Sequence, residues 1–105
     1  MRFKGVFALH EIGGNFFEWD EEKHEANIRK HGVDFWEAAT VLRDPYAVFY
    51  FDEEHSYYEE RFKVIGYSEN QRMLMVCHCY RNGDSYTRIF SARKATKQEH
   101  KDYWG

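Results

Sequence analysis

Apolar residues follow two different spacings along this chain, and the change from one to the other marks out its elements. From Phe35 to Leu42 they fall at i, i+3, i+4 and i+7 (Phe35, Ala38, Ala39, Leu42), the pattern of a helix with one buried face. Asp34 and Glu37 form an Asp-x-x-Glu capping box at its start, Val33 and Ala38 are placed as a hydrophobic staple, and Asp44-Pro45 ends it. Glu21 to His31 has the end signals of a helix without the stripe. Asp20 caps it, Glu21 and Glu22 sit in the first turn, Arg29, Lys30 and His31 in the last, and Gly32 suits a left-handed C′ position. Its apolar residues are Ala26 and Ile28, while Lys23, Asn27 and Lys30 make a polar stripe, either plain solvent surface or part of a site. The two helices are expected to form a hairpin across Gly32-Val33.

Beyond Pro45 the period becomes two. Tyr46–Phe51, Arg61–Tyr67, Arg72–Tyr80 and the stretch from Tyr86 to Ala95 read as strands, with an acidic loop at Asp52–Ser56. Asn82-Gly83 predicts a two-residue type I′ turn that pairs Arg81 with Asp84, Cys77 with Arg88, Val76 with Ile89 and Met75 with Phe90. Thr96-Lys97-Gln98-Glu99 is another capping box, opening a last helix through Tyr103-Trp104. Before Asp20 the pattern is faint: Val6-Phe7-Ala8-Leu9 suits a short strand, Gly13-Gly14-Asn15 a turn, and Phe16–Trp19 alternates weakly. The expected fold is α+β, an antiparallel sheet of about four strands with an N-terminal helical hairpin on one face and a C-terminal helix. Residues 1–105 are expected to form one domain, with 1–15 either part of its fold or an N-terminal extension.

So few helices cover one face of a sheet, yet the paired strands are apolar on both. Leu74, Val76 and Ile89 are assigned to the helix-packed core. The opposite side, with Met73, Met75, Cys77, Arg88 and Phe90, is left to bind a partner.

Composition adds an asymmetry. The net charge of −3 divides into −8 over residues 1–60, where 6 Lys and Arg face 14 Asp and Glu, and +5 over 61–105. The basic half holds the arginine-bearing strand, which suits an anionic ligand on one side of the molecule. Aromatic residues make up 19% of the chain, enough to build a core from few large side chains. Cys77 and Cys79 share one strand face, about 7 Å apart, too far to bridge comfortably, and are expected as reduced thiols. No apolar run reaches a membrane span and no secretion signal is present, so a cytoplasmic protein is expected.

Phosphate loops, GxSxG and HExxH are absent, and the histidines and cysteines lack zinc-site spacing, so no metal and no cofactor are expected. Arg88 and Arg93 with Lys94 suggest a phosphate clamp, because guanidinium groups match phosphate oxygens bidentately. Strict alternation sends them to opposite faces unless the strand bulges. Glu59-Glu60-Arg61 sets a carboxylate beside a guanidinium at a strand mouth, which serves either to hold a catalytic base or as an ordinary ion pair.

Phe17-Glu18-Trp19-Asp20, Lys23, Asn27, Lys30-His31-Gly32-Val33, Phe35, Ala38, Glu60-Arg61, Gly66, Leu74-x-Val76 and Arg88-Ile89-x-Ser91-Ala92-Arg93-Lys94-Ala95, with Glu99 and Tyr103, together resemble the BrnT family of bacterial toxins. The resemblance spans about residues 16–104; Leu42-Arg43 departs from a common aromatic and Phe90 from an aliphatic. It implies a RelE-like fold and a type II toxin-antitoxin module. The toxin would be a metal-independent ribonuclease that inhibits translation. Its partners would be RNA and a BrnA-type antitoxin that contacts DNA in its place, in a homodimer or a heterotetramer with that antitoxin. On that basis Arg88, Arg93 and Arg61 would stabilise the transition state, with Glu60 or His31 as base. Lys23, Lys30 and Lys94 would steer the backbone, Tyr103 would stack a base, and Met73, Met75 and Phe90 would meet the partner. The rival reading is a non-catalytic protein-binding module of the same fold, which the acidic pI favours.

Overall fold

A computed structural model describes residues 7–105. Six strands make one mixed sheet in the order β1-β2-β6-β5-β4-β3. They are β1 (Phe7–Ile12), β2 (Asn15–Asp20), β3 (Val48–Phe51), β4 (Phe62–Tyr67), β5 (Met73–Arg81) and β6 (Tyr86–Lys94). Three helices accompany them: α1 (Glu21–His31), α2 (Phe35–Val41) and α3 (Lys97–Trp104). Neighbouring strands are antiparallel except β2 and β6, which run parallel through Phe17–Thr87 and Glu18–Arg88.

The expected four-stranded antiparallel sheet opened by a helical hairpin is therefore wrong. A β hairpin comes first, turning at Gly13 (φ 61°) and Gly14 (φ 86°), and its second strand enters the sheet beside β6. Residues 7–15 are thus part of the fold; Val6, the start of the expected strand, lies outside the described residues. The parallel pairing joins positions some 70 residues apart and leaves no trace in local periodicity.

All three helices begin where their caps predict. Asp20 accepts from Glu22 N, Asp34 from Glu37 N, and Thr96 with Glu99 closes a complete capping box. Only the first half of the Asp34–Glu37 box forms. The buried Glu37 carboxylate turns instead to Arg72 Nε (2.9 Å) and Nη2 (2.5 Å) and to Ser68 Oγ (2.7 Å), tying α2 to the β4–β5 turn. The Arg72 guanidinium holds that carboxyl below its ordinary range.

Helices α1 and α2 lie over Leu74, Val76 and Ile89, so this face is the core, as the alternation predicts; Ala92 joins them, although strict alternation from Arg88 puts it on the other side. Helix α1 packs through polar residues: its buried side chains are His24 and Asn27, while Ile28 is exposed. Beyond Arg88 the edge of β6 has lost β2, and Asn27 takes the vacant place. Its amide donates to Ala92 O and Val33 O at 2.8 Å each, and its oxygen accepts from Ala92 N at 3.1 Å. The middle member of the polar stripe is a backbone partner.

On the opposite face α3 covers one end. Tyr103 packs against Ile65, Met73 and Met75, and its hydroxyl donates to Asp44 Oδ2 at 2.8 Å. Burial and the Asp44 carboxylate push the Tyr103 pKa up to about 12. Asp44 also accepts from Tyr67 N, and Gly66 lies so close that a Cβ there would stand 3.1 Å from Asp44 Oδ2 and from Val41 Cγ1.

The β5–β6 connection is longer than a two-residue turn. Asn82, Gly83 and Asp84 all adopt positive φ, and the first pair is Arg81–Tyr86. Cys79 rather than Cys77 faces Arg88, a slip of two residues that leaves Arg88 and Ile89 on their expected faces. A bulge then intervenes: His78 pairs with Ile89 and Cys77 with Ser91, so Phe90 has no partner. The bulge sends Arg93 to the same face as Arg88.

Candidate active site

The open part of the second face is built around Cys79, buried near the end of β5. Arg88 flanks it on β6; continuing the β4 register by one residue sets Arg61 on its other side, and Arg81 follows two residues along the same strand. The buried thiol feels the Arg81 and Arg88 guanidinium groups: burial pushes its pKa up, while a hydrogen bond with Arg81 opposes the shift. Two carboxylates hold the arginines. Glu59 spans Arg61 (3.4 Å) and Arg81 (2.5 Å), and Glu18, beside Arg88 in the β2–β6 pairing, binds the Arg88 guanidinium.

A cleft of about 140 Å³ opens here among Phe7, Asp20, Lys23, Glu59, Arg61, Arg88 and Phe90. That is below the size of ordinary small-molecule pockets and suits a phosphodiester group. The bulged Phe90 ring carries the Arg61 Cζ at 3.8 Å and the Lys23 Nζ at 5.9 Å from its centroid. Among the described residues the Nε groups of Arg61 and Arg81 are buried donors with no acceptor.

This geometry agrees with what the chain resembles. Residues 19–99 match the family described as the ribonuclease toxin, BrnT, of type II toxin-antitoxin system. The chain belongs to the BrnT family. The crystal structure of the Brucella abortus ribonuclease toxin BrnT matches at 26% sequence identity with a TM-score of 0.57, over 75% of this chain and 94% of that one. No curated protein matches. A type II toxin-antitoxin family implies an antitoxin partner.

In this BrnT-family chain the structure collects Lys23, Arg61, Arg88 and Phe90 at one cleft and leaves other expected site residues elsewhere. Arg93 is joined to Glu99 by two hydrogen bonds of 2.8 and 2.9 Å, which raise the arginine's pKa and lower the carboxyl's. It pairs with Met75 while Arg88 pairs with Cys79, about 13 Å away along β5. The two arginines share a face without forming one clamp, and Arg93 anchors α3. His31 ends α1, eight residues past Lys23 and about 12 Å along the axis from the cleft. Lys30 and Lys94 are exposed, and the Tyr103 hydroxyl is spent on Asp44. Met73 and Met75, expected to meet a partner, are each 5% exposed beside Tyr103, because α3 covers the end of the face thought to be bare. Glu60 is exposed and Glu59 holds the arginines. Sequence reasoning did not select Glu18 or Arg81 as site residues, and from the Glu59-Glu60-Arg61 run it chose Glu60 where Glu59 makes the contacts. The signal available for Arg81 was its position at the end of β5 on the parity of Cys79, which faces Arg88; Glu18 comes to Arg88 through the β2–β6 pairing.

Proposed function

We propose that this chain is an endoribonuclease whose phosphate site is the Arg61–Arg81–Arg88 cluster with Lys23. The observation that supports this most directly is a phosphate-sized cleft lined by Lys23, Arg61 and Arg88, in a member of a ribonuclease toxin family. The reaction needs no metal: the RNA 2′-hydroxyl gives up its proton to a base and attacks the adjacent phosphorus, the P–O5′ bond breaks, solvent protonates the leaving 5′ oxygen, and a 2′,3′-cyclic phosphate and a 5′-hydroxyl result. Arg88, Arg61 and Arg81 stabilise the developing charge on the phosphoryl oxygens, which is where such sites gain most of their rate. Glu59, lining the cleft with its oxygens on two arginines, is the carboxylate placed to take the 2′-hydroxyl proton. Lys23 steers the backbone into the cleft. Inhibition of translation follows from cleavage of RNA, and a BrnA-type antitoxin would neutralise it by covering this face.

The test is cleavage of single-stranded RNA by the purified chain in the presence of a chelator, with product ends identified. Arg88→Ala, shown to be folded, is expected to lower kcat by about 100-fold or more. Equal cleavage by parent and variant would refute the assignment. The pairing of Arg88 with Glu18, and of Arg61 and Arg81 with Glu59, favours one other reading, a non-catalytic module that engages only a protein. Growth arrest on expression without any RNA cleavage would select it.

A further inference from the structure

We infer that the start of β1 reaches the active site and that Phe7 there is a positioning residue for Arg88, an inference that rests on the ribonuclease reading of that site. Strand β1 lies wholly before residue 19, where the family match begins. It pairs with β2 over its full length, Phe7 opposite Asp20 and Leu9 opposite Glu18, so Phe7 stands on the face that carries Glu18 and Arg88. The Phe7 ring centroid is 4.4 Å from Arg88 Cζ, and Phe7 lines the cleft with Arg61 and Lys23.

Phe7 is 45% exposed on an edge strand, where a bare aromatic ring adds risk of edge-to-edge association. Its contact with a cation gives the ring a use. Arginine has five N–H donors. Glu18 engages Nε and Nη2 of Arg88, and the Phe7 ring meets the guanidinium, so the Nη1 donors remain for a phosphoryl oxygen. A long side chain held at both edge and ring does not search rotamers when substrate arrives, and such preorganisation appears in kcat.

The test uses the full chain and its Phe7→Leu, Phe7→Tyr and Leu9→Ala variants. Two readouts are followed: cleavage of a single-stranded RNA oligonucleotide, and the Arg88 Nε–Hε resonance observed by NMR without substrate. Phe7→Leu keeps an apolar edge but removes the π face; it is expected to lower kcat about fivefold with KM unchanged and to shift the Arg88 resonance. Phe7→Tyr is expected to restore both, and Leu9→Ala to keep the parental kcat. Parental kcat with an unmoved resonance in Phe7→Leu overturns the inference, as does failure of Phe7→Tyr to restore them. If the parent cleaves no RNA, the ribonuclease reading falls by itself, and the resonance alone then decides whether Phe7 holds Arg88.

Discussion

Replacing Asn27 with alanine should cost this protein more than any exposed position on α1. Asn27 is 6% exposed and makes three hydrogen bonds, to Val33 O, Ala92 O and Ala92 N, at the edge of β6 that β2 has vacated. Truncation leaves one backbone donor and two acceptors without their partner; at about 1 kcal/mol per lost bond, more for a buried N–H, the loss is about 3 kcal/mol. For a domain of this size that corresponds to a fall in Tm of about 15 °C. Urea unfolding followed by tryptophan fluorescence measures it, since Trp19 is fully buried while Trp36 and Trp104 are exposed. Asn27→Asp adds a sign. Its carboxylate would face two carbonyl oxygens, which raises the folded-state pKa above the unfolded value of about 3.9. The variant should therefore be most stable below that unfolded value and lose stability as pH rises through the folded one. A loss under about 1 kcal/mol for Asn27→Ala would refute the idea that this amide stands in for a strand.

Gly66→Ala places a Cβ 3.1 Å from both Asp44 Oδ2 and Val41 Cγ1 and should destabilise by about 1–3 kcal/mol, read from the denaturation midpoint. In the parent, the depressed Glu37 carboxyl contributes stability that is present above pH 4.5, its unperturbed pKa, and is lost as pH falls through the lower folded value. Arg72→Ala should flatten that acid limb in a series of melts against pH, and an unchanged limb would show that the pair is not its source.

The helices and the hairpin faces were legible because their signals are local. Asp20, Asp34 and Thr96 cap their own helices within three residues, and the Leu74–Val76 alternation names a buried face whatever the strand pairs with. The slip at Asn82–Ser85 did no harm because two residues preserve parity. The exposed-face reading failed at Met73 and Met75 for want of knowing where α3 lands, and the two-arginine clamp failed because Glu99 sits in the first turn of that same helix.

By itself, then, the order of residues determined where helices start, which side of β5 and β6 meets them, and which family the chain resembles. Those properties depend on spacings of one to four residues and on which side chains are apolar. Only the tertiary structure decided that β2 lies parallel to β6, that Phe90 bulges, and that Arg61 and Arg88 meet Lys23 and Phe7 at one cleft. Each of those depends on which strand edge remains free once the others have paired. That competition is settled between segments tens of residues apart, where no local pattern reaches.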